Sequence, residues 1–177
     1  VVVEIKADHN RPGGRLVLQD GVESSYVDVL DPTHLEFEYL RHLARVLDVM
    51  HPKRLTMAMA QIGGGPCVLP RYLDATRRDL RALVIERDPE VIAIAREWLG
   101  LRPSARLEIR IGDGREVLEE VPYGSLDVLV VDASTEGSAM DAARADGIDV
   151  LSGWAVAAAH GDRRVACLES IGHRLDT

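Results

Sequence analysis

From Arg54 onward, apolar runs of strand length alternate with amphipathic stretches of helix length, and each apolar run stops at glycine or at an acid. Residues 55–62 run into Gly63-Gly64-Gly65, residues 81–85 into Glu86, residues 107–111 into Gly112-Asp113, and residues 126–131 into Asp132. Residues 69–76 and 115–120 read as short helices between them. Asp88 is a natural N-cap with Pro89 at the first helical position. Val91, Ile92, Ala95, Trp98 and Leu99 then form one apolar stripe, and Gly100 closes that helix. Strands alternating with helices imply an α/β fold with a doubly wound, mostly parallel sheet.

The segment before Arg54 reads differently. Residues 1–6 and 15–18 are apolar-rich and separated by Arg11-Pro12-Gly13-Gly14. Asp20-Gly21 is a tight-turn signal, and residues 23–29 follow with β-branched and aromatic side chains. A small β-strand unit is expected over 1–32, and a second unit carrying the parallel sheet over 33–177. Thr33-His34-Leu35-Glu36 fits a capping box and predicts a helix starting at Thr33. Leu40, Leu43, Leu47 and Met50 recur at helical spacing, and His51-Pro52 stops the run. Residues 138–145 suggest a helix, while 154–159 and 164–168 read as a helix and a strand or as two strands. No convincing further strand of the sheet is read beyond residue 133, and the segment 133–177 is expected to be truncated, shifted in frame or divergent.

Composition narrows the function. With 21 basic and 29 acidic residues the net charge is −8. Nothing supplies the basic stripe of a nucleic-acid binder. An acidic chain suits a cationic ligand, although a solvated surface is the ordinary reading of such an excess. Cys67 and Cys167 lie too far apart to suggest a disulfide framework or a zinc site, and the histidines form no metal-binding pattern. A reducing, cytoplasmic setting and no metal are expected. No leader pattern and no run of about 18 apolar residues is present, so neither secretion nor a membrane partner is expected. The chain opens on Val1 rather than methionine, and its natural start is expected upstream.

Ligands of open parallel sheets bind outside the carboxyl ends of the strands. A glycine loop there lets backbone amides approach a ligand, and the helix that follows favours negative charge. Glu86 comes 23 positions after Gly63, close to the spacing of about 20 at which an acid accepts ribose hydroxyls. Asp113 can accept from an adenine amino group. One such acid alone reads as a helix cap or a solvated loop; three in register behind a glycine loop read as a nucleoside site. A nicotinamide site fits less well, because Val68 stands where the third fingerprint glycine belongs.

These residues resemble a known family. Ile62-Gly63-Gly64-Gly65, the run from Val84 to Val91, Gly112-Asp113-Gly114 and the run from Asp127 to Asp132 look like the spermidine synthases. Asp20-Gly21 and Glu36-Phe37-Glu38-Tyr39 resemble that family's upstream motifs, so the likeness spans roughly residues 12–133. It implies a Rossmann-like, methyltransferase-type fold binding S-adenosylmethionine or its decarboxylated form. Gly63, Gly64 and Gly65 would form the cofactor loop. Glu86 would hold the ribose, and Asp113 with Gly114 the adenine. Asp132 would be the catalytic base that takes a proton from an attacking amine, and Tyr39 would orient that amine. The family also commonly pairs subunits, so a homodimer is expected.

The chain departs from the family's pattern at the amine. Pro66 replaces the aspartate that grips the aminopropyl amine, and Thr135 replaces a second catalytic aspartate, with Glu136 one place late. Leu35 and Leu40 stand where polar residues are expected. Three functions follow: aminopropyl transfer to an amine, S-adenosylmethionine-dependent methyl transfer to another small-molecule acceptor, or nucleoside binding without catalysis.

Overall fold

The computed structural model describes residues 2–122 and 124–132, and the backbone of 164–167. An antiparallel sheet comes first, with strands β1 (Val3–Ala7), β2 (Gly14–Gln19) and β3 (Val22–Asp28) in sequence order. Asp20 and Gly21, at φ 49° and 80°, make the β2–β3 turn. Two consecutive positive φ values match the right-handed twist of a hairpin, and aspartate and glycine tolerate them.

Helix α1 (Glu38–Met50) buries Leu40, Leu43, Ala44 and Leu47, the face that the helical spacing predicts. Its start differs from the expectation. The capping box does not form, and the helix begins at Glu38 with Phe37 as an N-cap that makes no side-chain bond. Asp31 has taken the Thr33 hydroxyl and amide at 2.6 and 3.0 Å, and the Glu36 carboxylate pairs with His34 at 2.8 Å. Both halves of the box are therefore spent in the preceding turn.

Strand β4 (Met57–Ile62), helix α2 (Val68–Thr76), strand β5 (Leu80–Glu86), helix α3 (Pro89–Trp98), strand β6 (Leu107–Ile111), helix α4 (Gly114–Glu119), strand β7 (Val128–Val131) and strand β8 (Arg164–Cys167) follow. They form a parallel sheet of order β6-β5-β4-β7-β8. The chain winds outward from β4 through β5 to β6, then returns to β7 on β4's other side. That reversal places a topological switch point at the carboxyl ends of β4 and β7. Strand β8 falls within residues 164–168, which read as a strand in either alternative, and its parallel pairing with β7 adds a strand to the sheet that was not expected beyond residue 133. The helix suggested over 138–145 and the element over 154–159 lie outside the described residues.

Helices α1 and α2 pack on one face of the sheet, where Met57, Met59, Val128 and Val130 meet Leu43, Leu47, Leu69 and Leu73. Truncating a fully buried leucine such as Leu73 costs about 2–5 kcal/mol. On the other face, α4 sets Val117 and Leu118 against Ala60, Leu83 and Ile85. A third cluster joins the two sheets: Val17 and Val27 pack with Cys67, Val84, Ile92, Ala95 and Leu99. Asp88 caps α3 by accepting from the Glu90 amide at 2.9 Å, as the sequence predicts. Trp98 departs from its expected stripe and is 63% exposed. With Ile94 it borders a shallow hollow against Val3, Ile5 and Ala7. No helix among the described residues is long and apolar enough to cross a membrane.

Candidate functional site

The eight residues singled out from the sequence converge on the carboxyl edge of the parallel sheet. Ile62 lies in register with Ile85 on one side and Val131 on the other. The next positions, Glu86, Gly63 and Asp132, therefore form one row across the switch point. Backbone bonds extend the ladder into that row: Gly63 N donates to Ile85 O and Asp132 N to Ile62 O, both at 2.9 Å. Gly112 N donates to Glu86 O at 3.0 Å and brings the Asp113 loop alongside.

The glycine loop turns tightly. Gly63, Gly65 and Cys67 have φ of 75°, 48° and 61°. Gly64 passes so close to Val84 that a Cβ would lie 2.1 Å from Cγ1, so only glycine fits there. Beside the loop stands the N-terminal sheet, with Ser25 Oγ 3.6 Å from where a Cβ on Gly65 would be. Cys67 is buried, and burial pushes its thiol up to about 12, which leaves it protonated and unreactive.

Glu86 spans two turns. Its Oε2 accepts from Gly65 N at 2.8 Å and its Oε1 from Asp88 N at 3.0 Å. One carboxylate thus fixes the glycine loop and the entry to α3, and it is half-buried at the sheet edge with acceptor capacity beyond these two bonds. Asp113 is exposed and caps α4 through Oδ1, which accepts from Arg115 N at 2.9 Å. Gly114 lies against Ile62, whose Cγ2 would be 2.5 Å from a Cβ, so close packing requires this glycine whatever else it does.

Tyr39, in the first turn of α1, reaches across the cleft. Its hydroxyl donates to Asp132 Oδ2 at 3.4 Å. Burial pushes the Asp132 carboxyl up to about 6; the Tyr39 hydrogen bond lowers it and the Glu86 charge raises it further. The Tyr39 phenol is also pushed up, chiefly by burial and then by the Asp132 charge. A carboxylate whose proton affinity is raised toward neutrality, with its backbone held by a strand, has the properties of a proton acceptor.

The amine-side departures have structural counterparts. Leu35 and Leu40 are core residues packed with α1 and α2, and Pro66 is buried. Thr135 and Glu136 lie outside the described residues. Gln61 is a polar residue beneath this edge that the sequence reading passed over, and its signal was an amide inside an apolar strand. No cluster of metal-ligating side chains occurs among the described residues.

A sheet ordered β6-β5-β4-β7-β8, with a glycine loop after its central strand and an acid ending the next, defines a Rossmann-like domain of the methyltransferase type. Among solved structures, the chain is similar to a probable spermidine synthase from Corynebacterium glutamicum, with 32% identity, 76% of this chain and 50% of that one covered, and a TM-score of 0.68. It is also similar to the spermidine synthase of Thermotoga maritima, with 26% identity, 77% and 44% covered, and a TM-score of 0.57. A curated relative, the eEF1A lysine and N-terminal methyltransferase of Danio rerio, is 26% identical over 97 residues, which are 53% of this chain and 14% of that protein. No family model matches. The chain spans half or less of the length of these relatives, and in structure it is spermidine synthase-like.

Proposed function

We propose that the chain binds S-adenosylmethionine or its decarboxylated form along the row Glu86–Gly63–Asp132 and transfers an aminopropyl group to a small amine. The observation that carries this reading is the Tyr39–Asp132 pair, set across the glycine loop from Glu86. The donor set fits a nucleoside with a cationic arm. Glu86 offers acceptors for ribose hydroxyls while it holds Gly65. Asp113 has a second oxygen free of its cap for an adenine amino group. The glycine loop carries no side chain at positions 63–65, so backbone is what a ligand would meet after β4. Bound there, the sulfonium supplies an electrophilic carbon and a neutral thioether leaving group.

The protein's part is to prepare the acceptor. An ammonium has no free lone pair, so Asp132 must take its proton before the nitrogen can attack. Tyr39 holds the carboxylate in place and donates to the oxygen that does not take the proton. Pro66, Leu35 and Leu40 supply no charge for a distal ammonium, so the site suits a poorly bound diamine or an acceptor with one amine. Pro66 also removes a carboxylate that would repel the carboxylated ligand, and this favours methyl transfer as the second reading. Titrating S-adenosylmethionine, its decarboxylated form and methylthioadenosine against the protein separates the two. Tighter binding of the decarboxylated form supports aminopropyl transfer; tighter binding of the parent compound supports methyl transfer.

A further inference from the structure

We propose that Gln61 forms the floor of this site and that its amide oxygen accepts a hydrogen bond from an ammonium on the ligand's sulfonium arm, an inference that rests on the nucleoside reading above. Gln61 is 2% exposed and sits on the central strand of the sheet. Its Oε1 is buried without a hydrogen-bond partner. A buried acceptor left unmet is costly, and natural cores rarely retain one without a use.

Its position says what the use is. Gln61 pairs in register with Val84 and Val130, so the three side chains leave the sheet on the same side. Side chains alternate along a strand, so Gly63, Glu86 and Asp132 lie on that side too, one step nearer the carboxyl edge. Two carboxylates thus flank the position directly beyond Gln61, and the residue at that position is a glycine with no side chain to fill it. A donor that reaches Gln61 Oε1 from this edge passes two carboxylates and meets one unmet acceptor. An ammonium, with three donors and no acceptor, answers all of them.

The ligand's layout agrees. A nucleoside anchored at Glu86 and reacting beside Asp132 must carry its sulfonium arm between the two, over Gly63. An amide serves better than a third acid here. A carboxylate at Gln61 would add like charge beside Asp132 and raise its proton affinity further, weakening it as an ionised base at neutral pH.

The test compares decarboxylated S-adenosylmethionine with methylthioadenosine, which shares the nucleoside and sulfur but lacks the aminopropyl arm. Calorimetry is run on the parent, on Gln61→Met, which keeps the shape without an acceptor, and on Gln61→Asn, which withdraws the amide by one methylene. Both variants should lose about tenfold or more in affinity for the decarboxylated ligand and stay within about twofold for methylthioadenosine. Ligand-free Gln61→Met should also melt higher than the parent, since it removes an unmet acceptor. Should Gln61→Met fail to fold, Gln61→Asn alone decides. Equal losses on both ligands, or none on either, would make Gln61 only a core amide and overturn the assignment while leaving the nucleoside reading intact. A parent that binds neither ligand overturns both.

Discussion

The hydroxyl of Tyr39 meets the carboxylate of Asp132 across 3.4 Å, although 93 positions separate them in the chain. One residue opens α1 and the other ends β7, so the contact depends on α1 lying along the face of the sheet that carries Met57, Met59 and Val130. The apolar stripe of Leu40, Leu43 and Leu47 holds the helix there. Burial of these leucines therefore positions a polar pair at the sheet edge.

The pair makes stability depend on pH in a definite direction. The folded-state pKa of Asp132 lies above its ordinary value, so the folded chain holds this proton more tightly than the unfolded one. Stability from this group is full below about pH 4 and is lost as the pH rises through about 6. Asp132→Asn cannot ionise, so it should melt higher than the parent at about pH 7.5, with the gain vanishing near pH 4. Thermal melts of both proteins across that range check this; a gain that does not change with pH would rule out an ionised Asp132 as its cause.

Glu86 accepts from two backbone amides, those of Gly65 and Asp88. Glu86→Ala should weaken methylthioadenosine binding by about a hundredfold, roughly 3 kcal/mol. It should also lower the melting temperature by loosening the glycine loop and the α3 entry. Calorimetry with unchanged affinity would remove Glu86 from the ligand.

Asp113 can be tested with its two tasks separated. Removing the cap by Asp113→Ala should cost about 1 kcal/mol, whereas Asp113→Ser keeps a capping oxygen. The parent should prefer adenosine ligands over inosine ligands about tenfold or more, because inosine presents an acceptor where adenosine has a donor. Asp113→Ser should lose that preference at nearly unchanged stability. Equal binding of both nucleosides by the parent would leave Asp113 as a cap alone.

Gly64 should tolerate no side chain. With a Cβ due 2.1 Å from Val84 Cγ1, Gly64→Ala should destabilise by about 1–3 kcal/mol. Adding Val84→Ala should recover part of that loss, so the two changes fall short of additive. Denaturant melts of the single and double variants measure the coupling.

Much of this was legible in the sequence because local rules agreed with the fold. Asp20-Gly21 specified its hairpin turn, Asp88-Pro89 its helix start, and the glycine and acids at four strand ends marked one edge. The failures have physical causes. Thr33 and Glu36 satisfied the capping box in spacing, but Asp31 and His34 competed for the same groups at shorter range. Trp98 matched the helical stripe, yet Val91, Ile92 and Ala95 already cover the sheet and leave it outward. Strand β8 was read as a strand, but its four residues carry no signal of which sheet they join, so its place beside β7 went unassigned. Gln61 was hidden by the apolar average of its strand, and Asp132's partner could be found only once α1 was placed.

Release of methylthioadenosine from the decarboxylated ligand, with putrescine as acceptor, tests the central claim most directly. The parent should release it, needing millimolar rather than micromolar putrescine because the distal ammonium finds no charge. Its rate should fall below about pH 6, where Asp132 takes up its proton. Asp132→Asn should lower turnover by about 10²–10⁴-fold, with the gap narrowing as alkaline pH supplies free amine. A parent that binds the nucleoside yet releases nothing at any pH would contradict aminopropyl transfer.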